Sequence, residues 1–331
     1  MDSVTQIVLG IAVAEACAGK KLQNRTFLYG AILGTIPDLD VLVGKFMDPI
    51  DAIMIHRGMS HSLLFHLFLA PILGWLITKI EKQRISFKEA SWMAFLCLFT
   101  HPLLDMCTTW GTQVLWPLPY RYSLNCIFVI DPLYTIPLLI FLIMVWRTKN
   151  NELRTKYVRR GLFLSTGYML LALSIKSFAL YKFEKALGDQ NVSYDEIMVK
   201  PTPFNLILWN ANVATKEAYL LGDYSLFDTQ PITFTKYTKN PDLEIPLENN
   251  VDFKKLKISS EGWYLVDQVN GKTYFNDLRF GILNDDPKAP QFVFSYEFVR
   301  STEGLKAVEV PKTKRDAKAL LKKMFIRLKG N

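Results

Sequence analysis

Cysteine and histidine are both scarce in this chain of 331 residues, and their positions exclude several kinds of site. No two of the four cysteines form a C-x-x-C pair, and we interpret them as apolar filling residues. All four histidines lie before residue 102, so the second half of the chain cannot supply an imidazole ligand. The N-terminus lacks a basic region followed by a small-residue cleavage pattern, so a removable signal peptide is not predicted.

Half of the residues are hydrophobic, but they are distributed unevenly along the chain. Up to about Tyr181 the sequence is a series of apolar runs separated by short basic loops. After about Asp189 it becomes polar, aromatic and β-like. We therefore predict an α-helical polytopic membrane domain over residues 1–185, followed by a small β-rich soluble domain of the α+β class over residues 190–331.

Six membrane spans are predicted from the apolar runs, because a bilayer needs roughly 20 residues per helix. The first two runs are short and carry acidic residues, which need polar partners or water. Lysines and arginines cluster after the first, third and fifth spans, and the positive-inside rule makes that side cytoplasmic. The N-terminus and the β-rich domain are then extracytoplasmic. The predicted spans are residues 4–18, 27–43, 62–78, 91–106, 127–146 and 161–181.

Most acidic residues and histidines of the apolar part fall near the extracytoplasmic ends of these spans. The topology is assigned from lysine and arginine alone, so this convergence is a separate observation. Ionisable residues within a membrane are rare and are functional by default. The exception is Glu15, at the cytoplasmic end, which we expect to pair with Lys20 or Lys21. The converging residues are Asp38, Asp40, His56, His61, His101, Asp105 and Asp131.

Imidazole and carboxylate groups in one place favour a metal site. His101 and Asp105 are four residues apart and can share one face of a helix. Gly58 can break the chain between His56 and His61, and Ser60 can cap the helix that follows. His66, five residues farther on, is expected to point elsewhere.

The predicted site holds one or two divalent ions, with zinc favoured and manganese or iron(II) as alternatives. Asp131 is a further ligand or a general base in this hypothesis, because the candidate side chains exceed the needs of one tetrahedral zinc. The predicted metal ligands are Asp38, Asp40, His56, His61, His101 and Asp105.

The segments that carry these residues resemble a known family. "GTIPDLDV", "HRGMSHSLLF", "THPLLDMCTTWGTQVLWPL" and "FVIDPLYTIPLL" together are similar to the membrane-bound metal-dependent hydrolases known as the LexA-binding inner-membrane hydrolase family. The resemblance covers roughly residues 1–150 and implies a multi-span bacterial inner-membrane protein with a His/Asp metal site. Many members have Thr-His near the start, where this chain has Thr5-Gln6. The His101-x-x-x-Asp105 element is also similar to one in zinc-dependent phospholipases C.

These observations predict a metallohydrolase, in particular a phosphoesterase acting on a phospholipid or lipid-linked phosphate at the extracytoplasmic face. Arg57 is predicted to hold phosphate oxygens, and Ser60 to orient phosphate or support a ligand. The alternative is a non-enzymatic membrane scaffold or regulator with a structural metal. A transporter is disfavoured, since no internal repeats are detectable and the acids lie at one end of the spans. No nucleic-acid motif accompanies the net charge of +8, and the oligomeric state is not assigned.

Three further segments have predicted roles. Residues 106–123 form a shaped loop that can act as a lid over the site. The "NDDPKAP" stretch, 284–290, is predicted to be a turn. The C-terminal stretch 314–330 is a basic amphipathic helix, which either lies on an anionic leaflet or packs against its own sheet.

Overall fold

The computed structural model describes residues 1–283, 291–302, 304–311 and 317–331. The predicted turn at 284–290 and residues 314–316 of the tail lie outside these ranges. The chain forms two compact units. The first comprises Met1–Ile175 with Pro203–Asn205, and the second comprises Lys176–Thr202 with Leu206–Asn331.

The first unit is entirely helical apart from its loops. Two 3₁₀ turns, Ile36–Leu39 and Met59–His61, interrupt the helices where the chain carries Pro37 and Gly58. In chain order the helices are α1 (Ser3–Leu22), α2 (Arg25–Thr35), α3 (Asp40–Gly44), α4 (Pro49–Ile55), α5 (Leu63–Ile80), α6 (Phe87–Asp105), α7 (Pro132–Arg147) and α8 (Asn151–Asp189), the last of which continues into the second unit.

Within the described ranges, four helical segments are long and apolar enough to cross a membrane, so the prediction of six spans is not confirmed. Helix α7 has only 16 residues, and α6 carries charged residues at both ends. The first two predicted spans, which are short and carry acidic residues, are among the four because the helical segments extend beyond the apolar runs. The four segments are Ser3–Leu22, Arg25–Gly44, Leu63–Ile80 and Asn151–Asp189.

Helices α1 and α2 approach each other very closely through glycines. A Cβ atom at Gly10 would overlap the backbone of Gly30, and one at Gly30 would overlap the backbone of α1. Close approach of this kind is what small residues allow in membrane helices. It fixes the end of α2, including Gly34, next to α1, and this end of α2 leads directly into the 3₁₀ turn that carries Asp38.

Glu15 pairs with Arg154 and not with Lys20 or Lys21, so that expectation was wrong. Arg154 Nε and Nη2 donate to the two oxygens of Glu15 at 2.8 and 2.7 Å, and both side chains are buried. Thr26 donates to the same carboxylate at 2.5 Å. A forked guanidinium satisfies a buried carboxylate better than an ammonium group does, and it ties α1 to α8.

The second unit contains two antiparallel sheets of four strands each, in the orders β1-β2-β3-β4 and β5-β6-β7-β8. Its apolar core includes Trp263, Leu265, Leu278 and Phe292. The strands are β1 (Glu196–Pro201), β2 (Leu208–Ala214), β3 (Ala218–Ser225), β4 (Phe234–Thr238), β5 (Tyr264–Val269), β6 (Lys272–Ile282), β7 (Phe292–Ser301) and β8 (Gly304–Glu309), with helices α9 (Pro241–Glu244) and α10 (Val251–Ser259) between β4 and β5 and α11 (Ala317–Leu328) at the end.

Helix α11 covers most of the amphipathic tail, which was expected either to lie on an anionic leaflet or to pack against its own sheet. Arg327 forms an ion pair with Asp228, with Nη1 at 2.6 Å from Oδ1. Ser225 donates to the carbonyl of Leu328 at 2.7 Å. These contacts attach the C-terminal end of α11 to its own sheet. Phe325 and Ile326 remain exposed on the helix.

A buried lysine lies in the second unit. The Lys200 ammonium donates to the carbonyl of Leu278 at 3.2 Å, and Asn212 donates to the same oxygen. Asp277 is already engaged by Arg279, at 2.8 Å, and within the described residues no carboxylate pairs with Lys200. Burial therefore lowers the pKa of Lys200 to about 7.

Because the pKa of Lys200 is lowered, we expect the free energy of unfolding of the chain to depend on pH. Between pH 7 and 10 the unfolded state binds a proton that the folded state lacks, so the free energy of unfolding should rise with pH. Lys200→Met should flatten that rise and stabilise the protein at pH 7 by more than about 1 kcal/mol. Calorimetric unfolding of the detergent-purified chain at several pH values measures both effects. The exposed Lys236→Met is the control, and an equal change in both variants would contradict the assignment.

Candidate metal centre

Four of the predicted ligands meet in one place. Asp38 comes from the 3₁₀ turn after α2, His61 from the turn before α5, and His101 and Asp105 from the last turns of α6. One ligand atom from each lies within 4.8 Å of all the others. The spacing of four residues on α6 directs both of its side chains toward the same point, as the sequence predicts.

The distances between these groups are too long for good hydrogen bonds. Asp38 Oδ1 lies 3.4 Å from His61 Nε2 and 3.3 Å from His101 Nε2. Asp105 Oδ2 lies 3.4 and 3.6 Å from the same two nitrogens. Both imidazoles and Asp105 are fully buried, whereas the Asp38 side chain is 20% exposed.

Three of these atoms are buried without a hydrogen-bond partner among the described residues, namely His61 Nε2, His101 Nε2 and Asp105 Oδ2. Buried polar atoms are nearly always paired, and a group of unpaired ones around one point needs an explanation. Nitrogen and carboxylate oxygen are the donors that zinc, manganese and iron(II) accept. The residues present therefore fit a divalent ion.

The other nitrogen of each imidazole determines which tautomer the site contains. His101 Nδ1 lies 2.7 Å from the carbonyl of Gly34, and a carbonyl can only accept, so Nδ1 carries the proton. His61 Nδ1 lies 3.0 Å from Ser60 Oγ, which itself donates to Asp40 at 2.8 Å. In the neutral state, both Nε2 lone pairs then face the centre. Metal-ligating histidines are commonly oriented in this way.

Asp40 and His56 lie beside the group of four and not within it. Asp40 Oδ1 is 2.9 Å from His56 Nδ1, and Asp40 Oδ2 accepts from Ser60 and from the backbone of Arg57. Asp40 thus holds the segment that carries His61. The geometry gives these two predicted ligands a supporting position.

Arg57 is buried against the site in a strained backbone conformation. Its φ of 60° lies in the left-handed region, which is costly for a residue other than glycine. Nε lies 3.2 Å from Asp105 Oδ2, and Nη1 donates to Thr108 Oγ1 at 3.3 Å. Backbone bonds hold the conformation, since Gln113 N donates to the Arg57 carbonyl at 3.0 Å.

The predicted lid loop contacts the histidine segment directly. Arg121 donates to the carbonyls of Met54 and His56 at 3.1 and 2.9 Å. Val114 accepts from the backbone of Leu63 at 2.9 Å. The loop therefore helps to hold the residues around His56 in place.

The structure does not bring Asp131 into the group of four. Its Oδ1 accepts from the backbone of Leu133 and Tyr134 at the start of α7, and its Oδ2 accepts from Tyr168 at 2.8 Å. This is the capping role for which aspartate is favoured at helix N-termini. The sequence alone does not distinguish a helix-capping aspartate from a metal-binding one, because both stand directly before an apolar run.

Two side chains, Gln6 and His66, and the amino group of Met1 support the site, although the sequence analysis did not include them. Gln6 Nε2 donates to Asp105 Oδ1 at 3.0 Å and to the carbonyl of His101 at 3.2 Å, and the amino group of Met1 also contacts Asp105 Oδ1. His66 Nε2 donates to the carbonyl of Ser60 at 2.9 Å. The available signal was a polar side chain inside an otherwise apolar helix, which is present at both positions.

The helical part of the chain matches a family of inner membrane proteins. Residues 1–182 match the YdjM inner membrane protein family. The chain belongs to this family. It is similar to the inner membrane protein YbcI of Escherichia coli (strain K12), with 31% identity over 117 residues, which are 35% of this chain and 66% of YbcI. No solved structure matches the chain. The YdjM match supports the inner-membrane family expected from the sequence, and it gives no support to the similarity with phospholipases C.

The geometry of this YdjM family member predicts one bound divalent ion per chain. Asp105→Asn and His101→Ala should each lower metal affinity strongly, because each removes a donor. Ser60→Ala should weaken binding about 10- to 100-fold, since Ser60 orients His61. Metal analysis after equilibrium dialysis against zinc or manganese measures these effects. Glu89→Gln, an exposed carboxylate paired with Lys21, is the control. Equal metal content in the control and Asp105→Asn would contradict the site.

Proposed function

We propose that this protein is a membrane-embedded metal-dependent hydrolase that cleaves a phosphate ester of a membrane lipid or lipid-linked substrate. The observation that carries the proposal is the set of three buried unpaired atoms beside a buried arginine. Perturbed and unpaired polar groups concentrate at functional sites. The family names give the membrane location and no reaction.

The proposed metal ligands are Asp38, His61, His101 and Asp105, with Asp40, Ser60 and Gln6 holding them from outside. A divalent ion bound there would polarise a phosphoryl oxygen and make water more acidic. Four protein donors fill a tetrahedral zinc, whereas an octahedral manganese or iron(II) ion keeps open positions. The donor count therefore favours manganese or iron(II) over zinc for a catalytic role.

Arg57 is the proposed phosphate-binding residue. Its Nε has no hydrogen-bond acceptor within the described residues, although it lies beside Asp105. A guanidinium presents several donors in a plane and binds phosphate oxygens in pairs. In this position it would hold a phosphate against the metal ligands and offset its negative charge.

The surface around the site favours a lipid over a water-soluble substrate. The residues of α3 and the turn after it, next to Asp38 and Asp40, expose large apolar side chains, and Phe46 is 92% exposed. Such a surface is suited to acyl chains. We further propose that the site faces the extracytoplasmic side of the inner membrane, because the basic loops lie at the opposite ends of the predicted spans.

The proposal predicts metal-dependent release of a phosphorylated head group or phosphate from lipid. The purified chain, loaded separately with manganese or zinc, is assayed in mixed micelles with phosphatidylglycerol and other phospholipids by phosphorus NMR. Arg57→Lys should raise KM more than it lowers kcat, and Asp105→Asn should abolish turnover. The exposed Glu89→Gln should leave both constants unchanged.

The alternative is a scaffold or regulator with a structural metal. Four protein ligands complete a tetrahedral zinc site, which favours this alternative if the bound ion is zinc. In that case the loaded protein hydrolyses none of the tested lipids, and chelation lowers its Tm. Turnover that persists in Asp105→Asn would contradict the hydrolase proposal.

A further inference from the structure

A second site lies at the end of α1 and the beginning of α8. A surface cavity of about 610 Å³ is lined by four cationic side chains and a single acid, Glu152. The cations are Lys20 from α1 and Lys156, Arg159 and Arg160 from α8. The excess positive charge in one cavity is suited to an anionic group.

These four cations differ from their neighbours in having no carboxylate partner. Lys21 pairs with Glu89 at 2.6 Å, Arg25 with Glu81 at 2.5 Å, and Arg154 with Glu15 at 2.7 Å. Across the described parts of the chain, no ion pair involves any of the four. The positive-inside rule explains why basic residues occur near this end of the helices. It does not explain why four cations without an ion-pair partner in the described part of the chain line one cavity.

An apolar surface continues from the cavity along α8. Phe163 and Leu164 follow Arg160 at three and four residues, so they lie on its face of the helix, one turn farther into the apolar segment. Phe163 is 77% exposed. A ligand with a charged head and an acyl chain would contact both surfaces, whereas a free phosphate would contact only the cations.

We propose that this cavity binds the phosphate of an anionic phospholipid, whose acyl chains lie along Phe163 and Leu164. Arg159 and Arg160 donate hydrogen bonds to the phosphate oxygens, and Lys20 and Lys156 supply further positive charge. The site is separate from the metal centre and does not depend on the proposed hydrolase activity.

Native mass spectrometry of the detergent-purified full chain tests the proposal. Phosphatidylglycerol and phosphatidylcholine with identical acyl chains are titrated separately, and the wild type should retain phosphatidylglycerol preferentially. Arg159→Gln with Arg160→Gln should weaken its binding by at least about tenfold, since two cations near the phosphate are removed. Lys20→Gln with Lys156→Gln should also weaken it, which keeps the test decisive if the first variant folds poorly.

The matched control is Lys82→Gln with Arg84→Gln, which removes two exposed cations that lie outside the cavity and form no ion pair in the described residues. Its affinity for phosphatidylglycerol should stay within about twofold of the wild-type value. Inorganic phosphate at millimolar concentration should not displace the lipid. An equal loss in the control, equal binding of the two lipids, or displacement by inorganic phosphate would overturn the proposal. Circular dichroism and size-exclusion profiles verify that each variant is folded.

Discussion

The candidate metal centre depends on two imidazole rings, His61 and His101, whose Nδ1 atoms already form hydrogen bonds. Gly34 accepts from His101 and Ser60 accepts from His61, so in the neutral state both inner nitrogens present lone pairs to the same small space. Two carboxylates, Asp38 and Asp105, enter that space from other elements. Four acceptors facing one another in a buried environment repel, and a cation removes the repulsion. Several contacts within the helical unit hold these groups together.

Each supporting feature acts on one of those four groups. The close contact of α1 with α2 through Gly10 and Gly30 fixes the end of α2, and with it the Gly34 carbonyl. Gln6, on the same face of α1, holds Asp105 from the outside. Asp40 holds the turn that carries His61, and His66 holds the same turn from α5. The candidate metal centre and the close packing of α1 against α2 are therefore parts of one arrangement.

Much of the site could be inferred from the sequence, because a histidine or an aspartate in an apolar segment is conspicuous. His101 and Asp105 can be paired from the sequence, since helix geometry alone brings side chains four residues apart together. The separation of ligands from supporting residues could not be inferred. Asp40 and Asp38 have the same chemistry, and only the path of the 3₁₀ turn decides which of them faces the Nε2 atoms of His61 and His101. Asp131 and Glu15 show the same difficulty, because their partners Tyr168 and Arg154 are distant in the chain.

The proposed metal centre is tested most directly by X-ray absorption spectroscopy of the metal-loaded protein at the metal edge. A metal held by Asp38, His61, His101 and Asp105 should show nitrogen and oxygen scatterers only, at about 2.0–2.2 Å for zinc, with the outer-shell signal of two imidazoles. Cys107 and Cys126 are buried cysteines of the same unit and are not joined in a disulfide, so sulfur ligation is the alternative to exclude. A sulfur scatterer at about 2.3 Å, or fewer than two imidazoles, would contradict the proposed centre.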